Sequence, residues 1–142
     1  MILASTVMFV ALLQFELLIR GAENLKDKRR VVRSLKDRLH HDHMVSVAEV
    51  GALDEHRRAE MALSLVSTDV AYAAGVLDRI VERLREHREA ELGRCTRHIV
   101  HRDDLPESEL DDEGRPEWSD ADTGDMLKGI DRVEREIDGG AA

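Results

Sequence analysis

Along residues 7–18, VMFVALLQFELL, apolar side chains recur at every second position: Val7, Phe9, Ala11, Leu13, Phe15 and Leu17, with Gln14 and Glu16 on the alternate side. Successive strand side chains point to opposite faces, so this pattern predicts a strand buried on one face. Arg20-Gly21-Ala22 reads as a turn, and Asn24 is placed to cap a helix by accepting an orphan amide hydrogen. In the next stretch, LKDKRRVVRSLKDRL, the period changes. At about 100° per residue, Leu25, Val31, Val32, Leu35 and Leu39 share an arc of roughly a third of the circumference, which predicts an amphipathic helix over residues 25–41. Residues 44–50, MVSVAEV, alternate again and are valine-rich; residues 58–67, RAEMALSLVS, turn Met61, Leu63 and Leu65 to one side. With the Gly-containing connection between them, these two runs predict a hairpin. Ser67-Thr68-Asp69 supplies capping chemistry for a second helix through about residue 87, in which Val70, Ala73, Leu77, Ile80, Val81 and Leu84 recur at helical spacing. Residues 89–101 favour a last strand, with Gly93 as a bulge.

The order is therefore β-α-β-β-α-β. Two helices that each need a sheet face to cover predict an α+β, ferredoxin-like sandwich, with both helices on one face of a four-stranded antiparallel sheet. After residue 101 the pattern stops. Residues 102–142 contain both prolines and almost no core residues, so an acidic, mostly disordered tail is expected beyond a domain of residues 1–101. Within it, Met126, Ile130, Val133 and Ile137 predict a short helix over residues 123–138.

Charge sharpens this division. The 142 residues carry a formal net charge of −9. Residues 1–101 hold 16 Lys/Arg against 15 Asp/Glu, whereas residues 102–142 hold 5 against 15. The acidity belongs to the tail. Residues 20–44 hold 8 basic and 4 acidic residues, so the domain carries a local positive face. A composition of 42% hydrophobic and 3% aromatic residues leaves a modest aliphatic core. Cys95, the single cysteine, excludes an internal disulfide and a CxxC motif and points to the cytoplasm. The apolar start lacks a basic n-region and is interrupted by Gln14 and Glu16 short of a membrane span, so neither a signal peptide nor a membrane anchor is expected; Met8 is an alternative start.

The motif LKDKRRVVRSLKDRL, followed at fixed distance by VSVAEV and by RRAEMALSLVSTD, resembles the small bacterial DUF503, or YlxP-like, family over residues 8–100. The resemblance implies a ferredoxin-like fold and no established enzymatic activity. It also implies an association with ribosomes, through gene neighbourhood with translation initiation factor 2 and ribosome-binding factor A. It supplies no catalytic residues, and it leaves the acidic tail and the residues before Met8 unexplained.

Candidate chemistry lies on the first helix. Beside the apolar arc, Lys36, Arg29, His40, Arg33, Lys26 and Arg30 project as a cationic stripe. Lys28 falls inside the apolar arc, from which a long side chain can snorkel past the sheet edge. Lys26, Lys28, Arg29, Arg30, Arg33 and Lys36 are the expected phosphate-binding set, because cations at helical spacing can follow a nucleic-acid backbone and release its counterions. A solvated helix face is the competing reading. The strands show Gln14, Glu16, Ala62 and Ser64 outward, without an aromatic platform, so base stacking is not expected. His40, His41 and His43 are accounted for by the helix dipole without a metal. Cys95 reads as a small buried hydrophobe rather than a nucleophile. Glu49 falls on the inward face, which predicts pairing with Lys28 or an arginine, or a bulge that turns it outward. No P-loop, dinucleotide glycine pattern or nucleophile elbow occurs. The expected protein is a non-enzymatic accessory factor without cofactors, whose partners are ribosomal RNA or ribosomal particles. The alternative is a protein-interaction module or homodimer through the sheet, without nucleic acid.

Overall fold

The computed structural model describes residues 7–105 and 109–117. Its elements follow the chain as β1 (Phe9–Leu18), α1 (Leu25–His43), β2 (Ser46–Gly51), β3 (Arg58–Ser67), α2 (Val70–Arg85) and β4 (Glu91–His101), with a 3-10 turn at Arg102–Asp104. The strands form one antiparallel sheet in the order β2-β3-β1-β4. This is the α+β, ferredoxin-like layout that the alternation of periods predicts.

The core lies between the sheet and the two helices. Ala11, Leu13, Phe15 and Leu17 of β1 and Ala59, Met61, Leu63 and Leu65 of β3 face Val31, Val32, Leu35 and Leu39 of α1 and Val76, Leu77, Ile80 and Leu84 of α2, all buried. Full burial of each larger side chain contributes roughly 1.5–3 kcal/mol, and the central strands supply it every second residue. Asn24 accepts from the Asp27 amide (2.9 Å) and Asp69 from the Tyr72 amide (3.1 Å), so each helix begins where a side chain satisfies an orphan donor.

Several boundaries depart from the pattern. Met44 does not begin β2: it ends α1 in the left-handed conformation (φ 53°), its amide donates to the His40 carbonyl, and its side chain is 87% exposed. Valine-rich alternation gives no warning of this cap, since no glycine marks it. Val7 and Val70, expected inward, are exposed, because β1 begins at Phe9 and Val70 occupies the first turn of α2, beyond the core. Cys95 is also exposed: β4 is an edge strand, so even its helix-side positions are incompletely covered. Partial burial of the sulfur nevertheless pushes its thiol pKa up, with Arg85 and Arg97 opposing. The bulge at Gly93 is present. Pairing shifts between Phe15↔Cys95 and Leu17↔Leu92, and a Cβ at Gly93 would lie 2.9 Å from Glu16 Oε1.

The segment expected to be mostly disordered begins a separate unit at Leu105, and its described residues include a short strand pairing. There β5 (Glu109–Leu110) pairs with β6 (Pro116–Glu117). Asp111 closes the turn, its Oδ1 accepting from the Glu113 and Arg115 amides at 2.9 and 2.8 Å. Those amides, Arg115's foremost, hold the Asp111 carboxyl below its usual range. The helix expected over residues 123–138 lies outside the described residues.

Candidate nucleic-acid interface

Helix α1 packs its apolar arc on the sheet and turns the opposite side outward. Lys26, Arg29, Arg30 and Arg33 are exposed there, and Lys36 is half-buried at the margin. Lys26, Asp27, Arg29, Arg30, Arg33, Ser34, Asp37 and Arg38 line one shallow groove, so the structure brings most of the expected stripe together. Asp37 shares this groove, which makes the stripe less free of acid than its angular order suggests. Arg30 is tied to Glu89 at 3.2 Å, an exposed pair of little energetic weight. Lys26, Arg29, Arg33, Lys36 and Arg38 form no ion pair with any described residue. Cations without protein partners keep their full attraction for an external anion.

Lys28 does not belong to this surface. Its side chain is 1% exposed; Nζ donates to the carbonyls of Ala52 (2.7 Å) and Glu55 (2.6 Å) and lies 2.7 Å from Glu49 Oε1. The ammonium does not snorkel to water but is surrounded by oxygen, so it cannot reach a phosphate on the outer face. The pairing expected for Glu49 with Lys28 is the one formed. The cluster also accounts for the β2–β3 connection: Ala52 adopts φ 54°, unfavourable for a residue with a Cβ, and the contact at its carbonyl holds it there.

A second cationic surface escaped the reading of α1 alone. Between the helices, a cleft of about 440 Å³ is floored by Leu35 and Leu39 and rimmed by Arg38, Arg83, His87 and Arg88, with Glu86 and Glu89. Arg83 is engaged by Asp42 at 2.6 Å. The run Arg83, Arg85, His87, Arg88 is visible in the sequence, but only the packing of α2 beside α1 puts part of it next to Arg38. At the N-terminal end of α1, a cleft of about 420 Å³ includes Arg20, Arg30 and Arg88 but also Asp27, Glu89 and Glu91, which balance them.

The histidines do not converge. His40 Nδ1 donates to the Val45 carbonyl (3.0 Å), His41 contacts Asp42 (3.1 Å), and His43 is half-buried with Nε2 unpartnered. Among the described residues no three His, Cys, Asp or Glu side chains are grouped to hold a metal ion. Burial, then Arg83, pushes the His43 pKa down, while the hydrogen bond from His41, then Arg83, pulls Asp42 down.

The profile of a family described as "protein of unknown function (DUF503)" matches residues 10–97, which span β1 through most of β4 and include all of α1. The chain belongs to the DUF503 family. No curated protein matches it significantly. The DUF503 match ends before the unit that begins at Leu105, so the cationic helix lies within the family domain and the acidic segment outside it.

Proposed function

We propose that this DUF503 protein is a non-enzymatic accessory factor that binds RNA through phosphate contacts on α1, on ribosomal RNA or ribosomal particles in the cytoplasm. One observation carries the reading: Lys26, Arg29, Arg33 and Arg38 line one groove on the outer side of α1 without ion pairs to described residues, beside Asp27 and Asp37 and with Lys36 at its margin. A protein gains nothing in stability from clustering like charges, so an external polyanion is the natural complement. The outward strand residues Gln14, Glu16, Ala62 and Ser64 offer no stacking platform, which favours recognition of backbone or shape over bases. The single cysteine agrees with a cytoplasmic setting, and no helix among the described residues is long and apolar enough to cross a membrane.

Co-sedimentation with ribosomal particles tests this. The parent protein should pellet with them at low salt and leave at high salt, since each phosphate contact adds to the salt dependence. Arg29→Glu, Arg33→Glu and Lys36→Glu together should abolish pelleting with the circular dichroism spectrum unchanged. A folded triple variant that still pellets like the parent would overturn the reading. The second reading, a protein-interaction module, is favoured by the exposed apolar side chains on the other side of the sheet and predicts salt-insensitive association.

A further inference from the structure

The sheet face turned away from the helices has no covering layer among the described residues of its unit, and strand register sets its side chains in rows. Val66, Val10 and Val100 form one row; Ser46, Ser64, Leu12 and His98 the next; Ala48, Ala62, Gln14 and Thr96 the third. Val66 is 65% and Leu12 38% exposed. The fourth row is charged. Glu16 and Glu60 stand directly opposite each other, an unfavourable pairing held by a single cation, Arg58 Nη1, at 3.1 and 2.8 Å. Arg94, on the β4 side of this row, forms no ion pair with any described residue.

In the two middle rows small side chains (Ser46, Ser64, Ala48, Ala62) occupy the β2–β3 half and larger ones (Leu12, His98, Gln14, Thr96) the β1–β4 half, while the exposed Val66 in the first row and Val50 near the end of β2 add apolar surface to the β2–β3 half. A surface stepped this way complements itself when rotated by a half-turn about an axis running along the strands between β3 and β1. The large half of each copy then lies over the small half of the other, and rows keep their level. The same rotation carries Arg94 toward the partner's acidic pair at Glu16 and Glu60, whose ion pairs within the chain come from Arg58. Four strands about 4.8 Å apart and ten residues of about 3.3 Å give a footprint of roughly 600 Å², approaching the roughly 800 Å² of accessible surface that each partner contributes to a standard interface.

We propose that this face is a homodimer interface, with a second copy of the chain packed sheet on sheet, β1 over β3 and β4 over β2. The proposal is independent of RNA binding. It turns α1 of both copies outward on opposite sides, so a dimer would present two cationic surfaces.

Sedimentation velocity of the full chain across a concentration series tests it. The parent should dimerise, and Val66→Glu or Leu12→Glu should raise the dissociation constant at least about tenfold by burying a charge in the interface, with circular dichroism unchanged. Should Leu12→Glu fail to fold, Val66→Thr, an exposed and β-compatible change, must still weaken the dimer. Arg94→Glu should weaken it further at low salt. A parent that stays monomeric throughout overturns the proposal, including the case in which its own acidic segment covers the face. A dimer unaffected by the Val66 variants also overturns it and would indicate edge pairing through β4.

Discussion

Helices α1 and α2 bury the same five positions. The fourth, seventh, eighth, eleventh and fifteenth residues are Lys28, Val31, Val32, Leu35 and Leu39 in one, and Ala73, Val76, Leu77, Ile80 and Leu84 in the other. The fold treats them as equivalent supports for the sheet, yet their polar sides differ. Helix α1 holds seven Lys/Arg against three Asp/Glu, and α2 three against two. The charges of α2 are also better matched: Asp78 binds Arg97 at 2.8 Å, Arg83 binds Asp42, and Glu82 stands one turn from Arg79 and Arg85. Packing explains the shared face of the two helices but not the surplus of cations on one of them. That surplus is why α1, and not α2, is the place to look for a partner.

The sharpest way to break the equivalence is at the fourth position. Lys28→Ala makes α1 match Ala73 of α2, but it strips three oxygen neighbours of their cation, and leaving a buried charge uncompensated costs about 3–5 kcal/mol. Urea unfolding should show that loss. A parallel Glu49→Leu change should recover only part of it, because the Ala52 and Glu55 carbonyls stay unpaired. If Lys28→Ala unfolds at the parent's midpoint, the cluster contributes no stability.

Deeper in the shared face the helices should behave alike. Leu35→Ala and Ile80→Ala each remove methyl groups from the same core and should each cost about 2–5 kcal/mol by denaturant unfolding. A value below about 0.5 kcal/mol for Leu35 would place it on the surface and show the helix to be rotated.

On the polar sides the comparison should separate. Reversing Arg29, Arg33 and Lys36 should weaken binding to a model RNA at low salt by about a hundredfold or more, whereas Arg79→Glu with Arg85→Glu in α2 should change it far less. Equal losses would mean that overall charge, not α1, sets the affinity.

The smallest effect concerns the end of α1. Burial and Arg83 hold the His43 pKa below its ordinary value, so the unfolded chain binds the proton more readily. Stability should therefore fall as pH drops below about 6.5, where the unfolded histidine protonates, and level off below the depressed folded pKa. His43→Gln should flatten this part of the pH profile of urea midpoints. An unchanged slope would exclude His43 as its source.

Much of this protein is legible from period alone, for a physical reason: a strand that buries one face repeats every two residues and a helix about every 3.6. Phe9 to Leu17, Val31 to Leu39 and Met61 to Leu65 thereby specify the elements, their inward faces and the four-stranded plan. The cationic stripe was equally open to reading, because exposure on α1 follows from the angle opposite its apolar arc. Tertiary structure decided what angle cannot express. Lys28 and Arg29 are neighbours of the same charge type, but only the approach of the β2–β3 connection supplies the carbonyls and the carboxylate that take Lys28 out of solvent. Met44 looked like the start of a strand until the end of α1 claimed its amide. Arg38 joined Arg83 and Arg88 only because α2 packs beside α1. The sequence by itself determined which faces are buried and where charge accumulates, since both follow from local geometry; the partners of Lys28, Arg30, Arg83 and Arg97 were decided by contacts between segments distant along the chain.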